Sequence, residues 1–116
     1  MSGWVYCMMN PCMHYAGRVL YKIGEVHARG KTPWDRVKEL YQGQTGVPIP
    51  FTVLFAKEVR NPRSVERRLH QALDHRRINP RREFFDAKVS EIRSLFDRIP
   101  GKYCTVPRKR VAVPRR

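Results

Sequence analysis

The sequence predicts a small α+β domain, a three-stranded antiparallel-type sheet flanked by three helices. Strand-like and helix-like segments follow one another in the order β-β-α-β-α-(β)-α, with apolar residues at the spacing typical of each. The length of 116 residues suits one domain, and a hydrophobic content of 41% indicates a folded chain. We expect the domain to span residues 1–99 and a basic, flexible tail to span residues 100–116.

Three segments have the composition of strands. The first is predicted at residues 3–9, GWVYCMM, and the second at residues 19–24. The NPCMHYAGR segment between them contains Asn-Pro and a glycine, and it predicts a hairpin loop longer than the tight two-residue kind. The third strand, at residues 51–59, is apolar on both faces for most of its length, which favours a central position. A further short extended piece is expected at residues 83–85.

Three helices are predicted from capping residues and apolar stripes. The first spans residues 33–42, with Thr32 as its N-cap and a proline in its first turn. The second spans residues 62–75 and begins with Asn61 as cap, again followed by proline. The third spans residues 87–99 and ends at Pro-Gly. The three apolar stripes are Trp34, Val37, Leu40 and Tyr41; then Val65, Leu69, Ala72 and Leu73; then Val89, Ile92, Leu95 and Phe96.

The charge is strongly unbalanced: 24 Lys and Arg against 10 Asp and Glu give a net charge of +14. Such self-repulsion does not help a small protein fold, so it indicates a polyanionic partner. We expect nucleic acid rather than an anionic membrane, because no basic helix with a broad apolar face is present. The residues expected to contact nucleic acid are Arg63, Arg67, Arg68, His70, Arg76, Arg77, Arg81, Arg82 and, in the tail, Arg108, Lys109 and Arg110.

Other classes of protein and site are not indicated. No segment reaches the roughly 18–20 apolar residues that cross a bilayer, and the N-terminus lacks the features of a signal peptide. We therefore expect a cytoplasmic monomer. The three cysteines, an odd number, predict free thiols. The spacing of Cys7, Cys12 and His14 lacks the paired C-x2-C of structural zinc sites, and no charge constellation favours a nucleophilic cysteine.

The second predicted helix carries the sharpest functional signal. Glu66 lies at the edge of its buried stripe, with His70 one turn later, while arginines occupy the outer surface. A carboxylate at the core boundary among arginines suggests a hard-cation site beside phosphate. The pattern alone favours the simpler alternative, in which Glu66 forms an ion pair with a neighbouring arginine.

Five sequence features occur in a fixed order: the tripeptide WVY at residues 4–6, KIG at 22–24, Arg36 in WDRVKEL, Glu66 in SVERRLH, and Asn79 in RINPRREFF. In this order, and on these predicted elements, the chain resembles the GIY-YIG nuclease superfamily over roughly residues 3–99. The KIG form, the TGVP connector and the NPRREFF ending look most like a branch common in bacteriophage proteins.

The resemblance implies a metal-dependent endonuclease, a hydrolase that nicks DNA with little sequence specificity of its own, in a bacterial or phage-infected cell. Glu66 would bind Mg²⁺ or Mn²⁺, and Arg36 would hold the scissile phosphate. Tyr6 would orient or deprotonate the attacking water, and Asn79 would support the site. Taken singly, Tyr6 is as easily an interior strand tyrosine, Arg36 an exposed helix arginine, and Asn79 part of a turn.

Two positions depart from the superfamily pattern. Lys22 stands where the second motif usually has a tyrosine, and Leu40 stands where many members have His or Tyr. A lysine can neutralise a developing oxyanion but cannot act as a phenol, so Lys22 is retained as a catalytic candidate. Two alternatives stay open: a non-catalytic nucleic-acid-binding module on the same fold, and a phage interaction protein that acts on a host factor.

Overall fold

The computed structural model describes residues 2–27, 29–43, 48–79 and 83–104. These ranges contain five strands and three helices, which confirms the α+β class. In chain order the elements are β1 (Ser2–Tyr15), β2 (Arg18–Val26), α1 (Pro33–Gly43), β3 (Thr52–Arg60), α2 (Pro62–Ala72), a short 3₁₀ turn (Asp74–Arg76), β4 (Phe84–Phe85), α3 (Val89–Asp97) and β5 (Lys102–Tyr103).

The sheet is larger than the sequence predicted. Its strand order is β4-β2-β1-β3-β5, and every neighbouring pair is antiparallel. The prediction of three strands was therefore wrong by the two short edge strands. β1 is the middle strand, and β3, which lies between β1 and β5, is interior as predicted. The extended piece expected at residues 83–85 is β4, whereas β5 was not predicted, because a strand of two residues is too short to show an alternating pattern in the sequence.

The turn between β1 and β2 also differs from its prediction. β1 continues to Tyr15, and a tight turn at Ala16 and Gly17 replaces the expected long loop. Both turn residues have positive φ, 51° and 80°, the conformation that two-residue hairpin turns need. The register shifts between Met9 and His14, and β3 pairs with β1 only as far as Met9, so the outer part of the hairpin is a two-stranded ribbon.

Helices cover both faces of the sheet. On one face α2 and α3 pack against alternate strand residues, and on the other face α1 packs against Tyr6 and its neighbours. The first core includes Val5, Cys7, Ile23, Phe55, Val65, Leu69, Ile92 and Phe96; the second includes Tyr6, Met8, Val26, Val53 and Ala56, with Trp34, Val37 and Leu40 packed against it. The predicted stripes are correct except at Tyr41, Ala72 and Val89, which are exposed.

The helix caps were predicted with mixed success. Thr32 caps α1: the Asp35 backbone N–H donates to Thr32 Oγ1 at 3.3 Å, and the Thr32 N–H donates to Asp35 Oδ2 at 2.8 Å. Asn61 does not cap α2 with its side chain. It adopts a left-handed conformation, with φ 50° and ψ 60°, and its backbone carbonyl accepts from the Val65 N–H.

The chain stays on the sheet beyond residue 100. Lys102 and Tyr103 pair with β3, and the Tyr103 hydroxyl donates to Asp97 Oδ1 at 2.6 Å. The buried Lys57 ammonium donates to the Phe96 carbonyl at 2.7 Å and lies over the Tyr103 ring. The start of the predicted tail is therefore packed against the domain, and residues 105–116 lie outside the described residues. None of the helices in the described ranges is long and apolar enough to span a membrane.

Candidate active site

Residues from four elements meet at the edge of the sheet beside β2. Tyr6 pairs with Gly24 across the hairpin, and Met8 pairs with Lys22, so Tyr6 and Lys22 lie on the α1 face. The Ile23 N–H donates to the Glu83 carbonyl at 3.1 Å, which brings Glu83 alongside β2 just before β4 begins. Together with α1 and α2, these segments surround the KIG tripeptide with acidic and basic side chains.

Tyr6 lies directly over Gly24. A β-carbon at position 24 would overlap the Tyr6 hydroxyl and ring, so the third residue of KIG has to be glycine. The Tyr6 side chain is fully buried, and within the described residues its hydroxyl has no hydrogen-bond partner. Burial, reinforced by the negative charge of Glu83, raises the pKa of Tyr6 to about 12. The phenol is therefore protonated at neutral pH.

Arg36 on α1 is the neighbour of that hydroxyl. Its guanidinium is close enough to favour the phenolate form of Tyr6, although no hydrogen bond of good geometry joins the two. Arg36 Nη1 lies 3.2 Å from Glu39 Oε1, while Arg36 Nε is buried and, among the described groups, without an acceptor. A small cavity of 120 Å³ lies beside Arg36 and Glu25. Two adjacent unsatisfied polar atoms in a native site are typical of a place where a ligand or water binds.

Glu66 reaches this edge from α2. Its side chain is 19% exposed, and burial together with the like charges of Glu83 and Glu25 raises its pKa to about 7. None of the neighbouring arginines Arg63, Arg67 and Arg68 pairs with it in the described structure, so the simple ion pair considered for Glu66 does not form. Glu66 is a half-buried carboxylate surrounded mainly by negative charge.

The predicted contact of His70 with nucleic acid requires it to face outward with the arginines, and it does not. Its Nε2 lies 2.8 Å from the Ile23 carbonyl, so this nitrogen carries the proton and donates. The ring packs against Phe85 at 5.1 Å between centroids, and Glu66 Oε2 is 4.0 Å from Nε2. Burial lowers the pKa of His70, which keeps the ring neutral. His70 is therefore a structural residue that joins α2 to β2.

Lys22 is not a solvated strand residue. Only 11% of its side chain is exposed, Nζ lies 2.8 Å from Glu83 Oε1, and the ammonium is 5.6 Å from the centre of the Phe84 ring. Glu83 and Glu25 are site residues that the sequence reasoning missed. The signal for Glu83 was its place in the short extended piece after Asn79, but its pairing with β2 joins residues 61 positions apart and leaves no local pattern.

The structure therefore brings together four of the five predicted catalytic residues, Tyr6, Lys22, Arg36 and Glu66. The fifth, Asn79, is exposed one residue beyond Ile78, whose N–H donates to the Phe84 carbonyl at 3.3 Å. It lies beside β4 and is not part of the buried group. No cluster of three or more His, Cys, Asp or Glu side chains suited to a metal ion occurs in the described ranges. Cys7 and Cys12 are free thiols, as predicted.

A family model matches nearly the whole chain. The model of the T5orf172 domain matches residues 3–100, a range that contains every residue of the site. The chain belongs to the T5orf172 domain family. This domain is found in phage and bacterial proteins. Searches among curated proteins and among solved structures gave no match.

The basic residues of this T5orf172 domain differ in how freely they could contact a partner. The α2 arginines are exposed on the surface of the helix that carries Glu66. Arg76 lies 3.8 Å from Glu91, and the half-buried Arg77 guanidinium lies 5.3 Å from the centre of the Phe85 ring, so both also contact the fold. Five predicted contacts lie outside the described residues, namely Arg81, Arg82, Arg108, Lys109 and Arg110.

Proposed function

We propose that this T5orf172 domain is a metal-dependent endonuclease of the GIY-YIG type, which hydrolyses phosphodiester bonds of DNA by nicking one strand. The observation that carries the proposal is the convergence of Tyr6, Lys22, Arg36 and Glu66 on one sheet edge, although they are spread over 60 positions of the sequence. The family's link to nuclease-like folds and the net charge of +14 support the same function.

The residues present fit a divalent cation. Glu66 is a half-buried carboxylate whose pKa is raised by burial and by other carboxylates, so a cation beside it would relieve an unfavourable charge. Mg²⁺ keeps several of its waters and binds proteins through one or two carboxylates, so a cluster of three ligands is not needed. Glu66 would hold Mg²⁺ or Mn²⁺. When bound, such a cation would neutralise charge on the phosphate and lower the pKa of water.

The protein's own groups would orient the substrate. The buried Nε of Arg36 has no acceptor among the described residues, and a phosphate oxygen is a suitable partner for a guanidinium. Tyr6 keeps its proton at neutral pH, because its pKa is about 12. We therefore assign Tyr6 the orientation of the attacking water or of the phosphate by hydrogen bonding, rather than its deprotonation.

Lys22 would supply positive charge to the phosphate in place of the usual tyrosine. Its side chain is already largely buried beside the Phe84 ring, so little side-chain entropy remains to be lost when substrate binds. Arg63, Arg67 and Arg68 would contact phosphates along the DNA backbone, which implies strong salt dependence and little reading of bases. We keep Asn79 in the proposal as a residue that supports the site.

Supercoiled plasmid DNA tests the function directly. With Mg²⁺ or Mn²⁺ the wild type should convert supercoiled plasmid to open circles, and Glu66→Gln should abolish nicking while DNA binding is retained. Glu58→Gln, a change at an exposed glutamate of β3, is the matched control and should nick normally. Equal nicking by the wild type and Glu66→Gln would contradict the proposal.

The two alternatives predict other results in the same assay. A wild type that never nicks but binds DNA with a steep salt dependence is the non-catalytic binding module. A wild type that neither nicks nor binds DNA at physiological salt favours a protein partner, such as a host factor.

A further inference from the structure

We propose that Glu83 is a second carboxylate ligand of the divalent cation, and that Lys22 competes with the cation for it. The inference rests on the proposed function only for the presence of a cation at Glu66. It adds a ligand outside the five sequence features, and it assigns the Lys22–Glu83 ion pair to the metal-free state of the site.

The backbone holds Glu83 in place independently of its side chain. The Glu83 carbonyl accepts from the Ile23 N–H at 3.1 Å, and the next residue, Phe84, pairs with Lys22 in the sheet. The carboxylate then turns toward Lys22, with Oε1 at 2.8 Å from Nζ. The side chain is 39% exposed, so a hydrated cation can reach it from solvent.

Glu66 approaches the same residue of β2 from α2. The Ile23 carbonyl accepts from His70 Nε2 at 2.8 Å, and Glu66 Oε2 lies 4.0 Å from that nitrogen. The Ile23 N–H donates to the backbone of Glu83, and the Ile23 carbonyl accepts from His70, the neighbour of Glu66. Ile23 therefore connects the two carboxylates. Because the His70 nitrogen donates to Ile23 and the ring is neutral, His70 supplies no positive charge to Glu66.

The buried hydroxyl of Tyr6 is an independent sign of a ligand at this place. Tyr6 lies over Gly24, the residue next to Ile23, and its hydroxyl is fully buried without a partner among the described groups. Both Glu83 and Glu66 act on it electrostatically. A hydrated cation between the carboxylates would bring hydrogen-bonding oxygen atoms toward a hydroxyl that makes no hydrogen bond of good geometry, even with its neighbour Arg36.

The charges explain why Lys22 is a competitor. Glu83 and Glu25 both act on Glu66 as like charges, and Lys22 acts on it as a cation. One ammonium leaves the cluster with net negative charge, whereas a dication could neutralise two carboxylates. Binding of the cation to Glu83 would release Lys22 toward the phosphate, which agrees with its proposed action there.

Direct binding of Mn²⁺ to the full chain, followed by the electron paramagnetic resonance of free Mn²⁺, tests the inference without DNA. Glu83→Gln and Glu66→Gln should each weaken Mn²⁺ binding about tenfold or more. Lys22→Met should strengthen it a fewfold, since a positive charge is removed beside a ligand. In the Glu83→Gln background, Lys22→Met should have a much smaller effect. Glu58→Gln should bind like the wild type.

Two outcomes would overturn the inference. Wild-type affinity for Mn²⁺ in Glu83→Gln would show that Glu83 is no ligand, and weaker binding in Lys22→Met would show that Lys22 is not a competitor. Thermal unfolding shows whether each variant folds, and Glu83→Asp, which keeps the charge on a shorter side chain, should give an intermediate affinity. The wild type could bind Mn²⁺ without nicking DNA, and both glutamine variants could lose Mn²⁺ binding. That result would reject the nuclease and support this inference.

Discussion

Gly24 lies beneath the Tyr6 ring, and the space that a β-carbon would need at position 24 is occupied by the Tyr6 hydroxyl. The two residues are direct partners across the hairpin of β1 and β2. The glycine of the second tripeptide is thus required by the tyrosine of the first, and φ at Gly24 is not positive, so the requirement is steric.

Gly24→Ala should therefore push Tyr6 out of place. We expect a loss of about 1–3 kcal/mol in the free energy of unfolding, as in other overpacked cores, together with loss of nicking. Gly43→Ala is the matched control, because a β-carbon there meets no atom within 4 Å. Urea unfolding and plasmid nicking measure the two effects. A stable, active Gly24→Ala protein would refute the requirement.

Tyr6→Phe should separate stability from activity. The hydroxyl is buried without a partner in the described structure, so its removal should leave the free energy of unfolding unchanged or slightly higher. Nicking should fall about a hundredfold if the hydroxyl orients water or phosphate. Tyr103→Phe provides the opposite control. It removes a hydrogen bond of 2.6 Å to Asp97, so it should cost about 1 kcal/mol of stability and leave nicking intact.

The raised pKa of Glu66 predicts a pH dependence of stability. The pKa rises from 4.5 in the unfolded chain to about 7 in the fold, so the folded state binds this proton more tightly. The stability from this group is full below about pH 4.5 and is lost as the pH rises through about 7. In the metal-free protein, Glu66→Gln should gain about 1–2 kcal/mol over the wild type between these limits, because partial exposure reduces the full effect.

Urea unfolding of the two proteins from pH 4.5 to pH 8 measures this difference. The difference in free energy of unfolding between the wild type and Glu58→Gln should not change over the same pH range. Parallel curves for the wild type and Glu66→Gln would mean that Glu66 is not in the unfavourable environment described above.

The arginines of α2 should contribute to DNA affinity without regard to sequence. Arg67→Gln should weaken binding uniformly across DNA sequences and reduce the slope of log affinity against log salt by about 1. Filter binding or fluorescence anisotropy at several salt concentrations gives the slope. Arg98→Gln, at the C-terminal end of α3, should keep the wild-type slope if the DNA follows α2. An unchanged slope for Arg67→Gln would place the DNA elsewhere.

The sequence was sufficient for the parts of the site that lie on long elements. Tyr6, Arg36 and Glu66 occupy a strand and two helices that periodicity predicted, and their meeting is what the resemblance to the GIY-YIG superfamily implied. The place of Glu83 in the site was not predicted, although the extended piece at residues 83–85 was, because its partner Lys22 on β2 is 61 positions away in the sequence. The tight turn was missed because Ala16, with its positive φ, replaces the asparagine or aspartate that usually marks such a turn.

The two-stranded outer part of the hairpin implies a gradient in amide hydrogen exchange along β1 and β2. Beyond Met9 and Tyr21 neither strand has a third strand beside it, and an isolated pair of strands has little stability of its own. The amides of residues 12–19 should open by local fraying, whereas those around Tyr6 and Ile23 should open only with the whole domain. The tip can therefore move without disturbing the residues that carry the chemistry.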